Sequence, residues 1–256
     1  MAMNRFPIKA VLGFALVLTA ALLSLKHQSK REAPLGEASL GDPAAEISLE
    51  APSQAGPTVG RADQVGREAV LEQLALADQQ WVPKAERLAN GSTRFSYKRR
   101  AGEPSLSIEQ IKDLMENPPT FSSDRQSISR IWDLLDRAGV DIRFTRPRKE
   151  GAAGEWDPQV KTIRIQPEVL GQGSKVFAQV LNHEAIHVAQ SCKRGSLKAF
   201  PEVIGLTSDL PRELEFVLEK PQYRNTSLQV KNLEREAFAN QSDLDLGPSL
   251  VQAYCF

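Results

Sequence analysis

His183, Glu184 and His187 stand in the order His-Glu-x-x-His. They fall within a stretch whose Val176, Phe177, Val180, Leu181, Ile186 and Val188 recur at helical spacing. Residues four apart on an α-helix lie one above the other on a single face, so the two imidazoles can grip one metal ion together. Glu184 lies about 100° further round the helix from His183. There its carboxylate reaches a water on the metal without being a ligand, the placement of a general base in metal-assisted hydrolysis. The chain holds only three histidines, and a chance match to this pattern comes at roughly three in a thousand. The competing explanation is a buried helix whose histidines fill polar niches, but histidine is uncommon in cores without a partner.

Other elements must hold that helix in place. Val70, Leu71, Leu74, Ala77 and Trp81 predict an amphipathic helix ended by Pro83. A second helix is expected over 107–116, halted by Pro118 and Pro119, and a third from near Ser123 to Gly139. The period then changes. Val140, Ile142 and Phe144 alternate with Asp141 and Arg143, as in a half-buried strand. Glu155 and Trp156 lead to a turn at Asp157-Pro158, and a second alternating run covers 160–165, from Val160 to Ile165. Ser174 is expected to cap the histidine helix. Thr226 or Ser227 is expected to cap a later helix carrying Leu228, Val230, Leu233, Ala237 and Phe238.

Composition narrows the setting. Lys plus Arg and Asp plus Glu number 32 each, so no net field draws the chain to nucleic acid, and nucleic-acid binding is not expected. Arg5 and Lys9 precede an uncharged, mostly apolar run over 10–25 that Lys26 ends. That run is shorter than the roughly 20 residues of a spanning helix and reads as a signal peptide or N-terminal membrane anchor over 1–26. The expected location is therefore exported, with membrane association through 10–25. Residues 27–60 are rich in Ala, Pro, Gly, Ser and Glu and read as a flexible linker. The folded body is expected over 61–256. Cys192 and Cys255 are the only cysteines. In an exported chain they suggest one disulfide, with two unpaired buried thiols as the alternative.

Strands leading into a helix with His183, Glu184 and His187 resemble the zincin metallopeptidases. That resemblance implies an α+β fold: a small antiparallel or mixed sheet, then the active-site helix, then a C-terminal helical part. It implies zinc as the cofactor and a peptide or protein as the substrate. It also makes the 160–165 strand the candidate rim that holds extended peptide by backbone pairing, an ordinary core or edge strand being the alternative.

A catalytic zinc takes three protein ligands and leaves a position for water. The metzincin subgroup draws its third ligand from a histidine that would fall at Lys193, and no histidine follows His187. A carboxylate must then serve. The segment Glu236-Ala237-Phe238-Ala239-Asn240 is similar to the gluzincin pattern Glu-x-x-x-Asp, with Asn240 in place of the Asp. This resemblance implies Glu236 as the third ligand and Asn240 as the group that orients a zinc-bound imidazole. Glu234 is the rival ligand, but four residues on it meets Phe238, which cannot hydrogen-bond a histidine. Tyr223 is a candidate oxyanion stabiliser, set against a packed tyrosine with no such role. The function implied is a zinc-dependent metallopeptidase with Glu184 as general base. A non-catalytic zincin-fold scaffold or binding protein is the alternative, and the presence of Glu184 argues against it.

Overall fold

The computed structural model describes residues 66–91, 93–98, 105–210, 215–224 and 226–256. The leader or anchor expected over 1–26 and the linker over 27–60 lie outside the described residues. Among those described, no helix is long and apolar enough to cross a membrane.

Helix α1 (Arg67–Asp78) buries Val70 and Leu74 and continues as a 3-10 turn, Gln79–Trp81, before Pro83. A hairpin follows that sequence periodicity does not announce. Strands β1 (Lys84–Arg87) and β2 (Thr93–Ser96) pair antiparallel yet bury almost nothing, so no alternation marks them. Helix α2 (Ile108–Glu116) opens with a reciprocal cap: Ser107 Oγ accepts from Gln110 N, and Gln110 Oε1 accepts from Ser107 N. Helix α3 (Ser122–Arg137) turns Ile128, Ile131 and Leu135 inward and stops just before Gly139, whose φ is 76°.

A three-stranded sheet comes next, made of β3 (Asp141–Arg143), β4 (Gly154–Asp157) and β5 (Thr162–Ile165) in the order β3-β5-β4. Strand β5 is central, parallel to β3 and antiparallel to β4. The expectation that 160–165 forms the rim is therefore corrected. Strand β5 spends its backbone groups on two neighbours, and the outer strands are β3 and β4.

Helix α4 (Ser174–Lys193) carries the two histidines and is buried along 174–192 except at Lys175. Such all-round burial marks a central helix. It packs against α1, α3, β4 and two helices still to come, α6 (Leu228–Asn240) and α7 (Leu246–Cys255). Its start is capped from outside. Asp78 of α1 accepts from Ser174 N at 2.7 Å and from Ser174 Oγ at 2.6 Å, and it also pairs with Arg125. Ser174, expected as the cap, is thus the first helical residue and the donor, because Gly173 before it bends away at φ 86°.

Beyond α4 the chain runs as a strap over 195–210 without regular structure. After residues 211–214 come a 3-10 turn, Phe216–Glu219, and a short helix α5 (Pro221–Arg224). Ser227 caps α6, its Oγ accepting from Val230 N. Cys192 at the end of α4 and Cys255 at the end of α7 form a disulfide with Cα atoms 5.1 Å apart. The main core joins Val70, Ile131, Ile163, Phe177, Leu181 and Ile186, while Val217, Leu218 and Tyr223 make a smaller cluster against Phe238. The architecture is mixed α and β with two small sheets, consistent with the α+β expectation.

Candidate metal centre

Helix α4 carries more buried polar side chains than a central helix usually tolerates, and most of them are paired. Asn182 Nδ2 donates to the carbonyls of Gln241 and Asp243, and its Oδ1 accepts from Gly247 N. Ser191 Oγ accepts from Trp156 Nε1 at 2.9 Å, which ties β4 to the helix. Gln179 Nε2 donates to Ser242 Oγ. Two groups in the motif differ: His183 Nδ1 and Glu184 Oε2 have no hydrogen-bond partner.

His183 and His187 meet as their spacing demands, with Nε2 atoms 3.1 Å apart. Glu234 of α6 completes the set, its Oε2 lying 3.4 Å from His183 Nε2 and 3.7 Å from His187 Nε2. All three residues are buried and could hold a metal ion. Bonds of about 2.0–2.1 Å at tetrahedral angles set donor atoms about 3.3 Å apart, so these spacings fit one zinc-sized ion. Two imidazole nitrogens at 3.1 Å would oppose lone pair to lone pair unless a proton or cation lay between them.

Glu236, expected as the third ligand, is not in this set. Two residues along α6 is about 200° of rotation, which turns its side chain away from the histidines. Its buried carboxylate accepts instead from the backbone N–H groups of Ile204, Gly205 and Leu206 and from Gln190 Nε2, at 2.6–2.8 Å. Asn240 likewise misses the imidazoles and donates to the carbonyls of Thr207 and Glu236. The group that meets a histidine is Gln190, whose Oε1 lies 2.7 Å from His187 Nδ1. Phe238 does support a histidine, but by packing: its ring centroid is 4.6 Å from that of His183.

The local electrostatics follow from these contacts. Burial alone would raise the Glu234 carboxyl, yet the two adjacent histidines and the charge of Lys149 hold it well below the usual carboxylate range. Lys149 Nζ sits 2.6 Å from Glu234 Oε1, leaving Oε2 for the histidine side. His187 is lowered by burial, but Glu234 and Glu184 outweigh that and raise it overall. Burial pushes the Glu184 carboxyl up, and Glu234 adds to the shift against the two histidines. Tyr223 is pushed well above the ordinary phenol range by burial and by Glu234 and Glu184. Its hydroxyl therefore stays protonated, and it donates to Glu234 Oε2 at 3.3 Å.

These groups floor a cavity of about 330 Å³. One wall is the chain at 152–159, which includes β4; the other carries Phe200, Val217, Val230 and Phe238. The close approach of the β4 wall needs glycine. A Cβ at Gly154 would lie 2.5 Å from Glu184 Oε1.

Sequence reasoning missed Gln190 and Lys149. A glutamine three residues after His187 shares its helix face, which was a usable signal. Lys149 lies in the long connection between β3 and β4, where no periodicity points. No protein-family model, curated protein or solved structure matches this chain.

Proposed function

We propose that this protein is a zinc-dependent peptidase of zincin type, gluzincin-like in taking a glutamate from a second helix, and that it works outside the cytoplasm. The observation that carries the reading is the convergence of His183, His187 and Glu234 beneath a cleft, with Glu184 beside them, 4% exposed and with one oxygen unpartnered. Two neutral imidazoles and one carboxylate match the ligand type of catalytic zinc sites, which keep a position open. Bound there, zinc would supply Lewis acidity, polarising a carbonyl and lowering the pKa of a water to about 7.

The chain's own groups would do the rest. Glu184, made more basic by burial, would take the proton from the attacking water and pass it to the leaving amine. Strand β4 pairs only with β5 among the described residues, so an extended peptide has an open edge to join. Tyr223, held neutral, lines the cleft, and its hydroxyl, on release from Glu234, would donate to developing oxyanion charge. The disulfide is compatible with an oxidising compartment.

The test is metal analysis of the purified body together with hydrolysis of a peptide library with and without chelator. Glu184→Gln should keep zinc and lose hydrolysis. Full activity in that variant would sink the mechanism. Stoichiometric zinc with no hydrolysis of any library member would favour the binding-module alternative.

A further inference from the structure

Gln190 is fully buried, and its amide has three fixed neighbours. One end meets His187 Nδ1 at 2.7 Å, and the other meets Glu236 Oε2 at 2.8 Å and the Leu233 carbonyl at 3.4 Å. Which end carries oxygen is decided by Glu236 and the Leu233 carbonyl together. A backbone carbonyl only accepts, as does a carboxylate anion, so the amide must turn its NH2 toward Leu233 and Glu236 and its oxygen toward His187. That oxygen only accepts in turn, so the proton of neutral His187 must sit on Nδ1. The lone pair is left on Nε2, the atom facing His183 and Glu234.

We infer that Glu236 and Gln190 are positioning residues that fix the tautomer of His187. The ultimate anchor is the strap. Glu236 is 2% exposed, and three consecutive backbone N–H groups, from Ile204, Gly205 and Leu206, donate to its carboxylate. The same strap brings Phe200 and Pro201 to the cleft wall. Donation therefore converges on Glu236, from the strap amides on one side and, on the other, from His187 Nδ1–H to Gln190 and from Gln190 N–H to the carboxylate. A change in how the strap seats would be felt at the metal-facing nitrogen.

The inference deepens the reading of the histidine pair as a metal site, but its first readout needs no metal. Nitrogen-15 spectra of metal-free protein at about pH 9, above the histidine range, should show His187 with Nδ1 protonated and Nε2 bare. Gln190→Met keeps length and bulk but removes the acceptor. It should release His187 toward the Nε2–H form that free imidazole side chains prefer in water. Glu236→Gln should weaken the preference for Nδ1–H without abolishing it, because only the Leu233 carbonyl then dictates which way Gln190 faces. Both variants should bind zinc about 10- to 100-fold more weakly in a metal-buffered titration, the usual loss for a group that orients a ligand. An Nε2–H tautomer in the wild type overturns the assignment without any variant. Unchanged tautomer and zinc affinity in either variant, once circular dichroism shows it folded, overturn the coupling. A protein with the expected tautomer and no zinc affinity would instead remove the metal-site reading and leave the tautomer control standing.

Discussion

Gly154→Ala separates metal binding from chemistry by a single methyl group. The new Cβ would sit 2.5 Å from Glu184 Oε1 and 2.9 Å from its Cγ and Cδ. Ordinary carbon–oxygen contact begins near 3.4 Å, so the carboxylate must move by about 0.9 Å. The backbone is no obstacle, since Gly154 does not take a positive φ. Nor are the metal donors, which lie on other residues. A general base misplaced by about 1 Å costs on the order of 100-fold in rate, or close to 3 kcal/mol of barrier. The variant should therefore bind zinc with wild-type affinity while kcat for chelator-sensitive peptide hydrolysis falls about 100-fold and KM stays near its original value. A crystal structure should show the Glu184 carboxylate displaced from β4. Wild-type kcat with Glu184 unmoved would refute the view that β4 and the base are fitted against each other.

Exchanging the two glutamates of α6 gives a second outcome. Glu234→Ala should lose more than 100-fold in zinc affinity by metal-buffered titration, exceeding the loss for Glu236→Gln, because it removes a donor and not an orienting group. Glu236→Gln should cost more stability in urea unfolding, since three strap amides lose a charged acceptor, each worth roughly 1–3 kcal/mol. Asp78→Ala should destabilise by about 2–4 kcal/mol in the same assay, because one carboxylate caps α4 and pairs with Arg125. Acid stability should depend on Asp157. Burial would raise its carboxyl, but the Arg164 hydrogen bond and the charges of Arg148 and Arg164 hold it below its ordinary value of 3.8. A depressed folded pKa gives stability that is complete above the unfolded pKa and lost as pH falls through the folded one. Asp157→Asn should flatten that acid limb of a thermal-melt series, and an unchanged limb would count against the pairing.

What could be read from the sequence was what repeats. Helices α1 to α4 and α6 announce themselves through apolar spacing, and Pro83, Pro118 and Gly139 mark their ends. His183, Glu184 and His187 were legible because their geometry is local to one helix. The third donor was not, since it depends on how α6 is rotated against α4. The absence of a hydrogen-bonding residue after Glu234 argued for Glu236. Yet Val230, Glu234 and Phe238 share one face and all line the cleft, while Glu236 turns to the strap. The order of the strands was likewise invisible, because alternation marks a strand and says nothing of its neighbours. The β1–β2 hairpin left no pattern at all, being exposed on both faces.

The Cys192–Cys255 bond joins residues 63 apart in the sequence and closes a covalent ring. The strap, Tyr223, Glu234 and Glu236 all lie inside it, and the ring closes five residues beyond His187. In a loop-closure treatment that ring narrows the unfolded ensemble by about 4 kcal/mol. It also decides what survives a nick. A single cut anywhere between residues 193 and 254 opens the ring without shedding a fragment, so the donor helix and the histidine helix stay on one covalent body. On the proposed reading, a protein exposed to peptidases would thereby keep all three candidate metal donors together through a first cleavage of the strap.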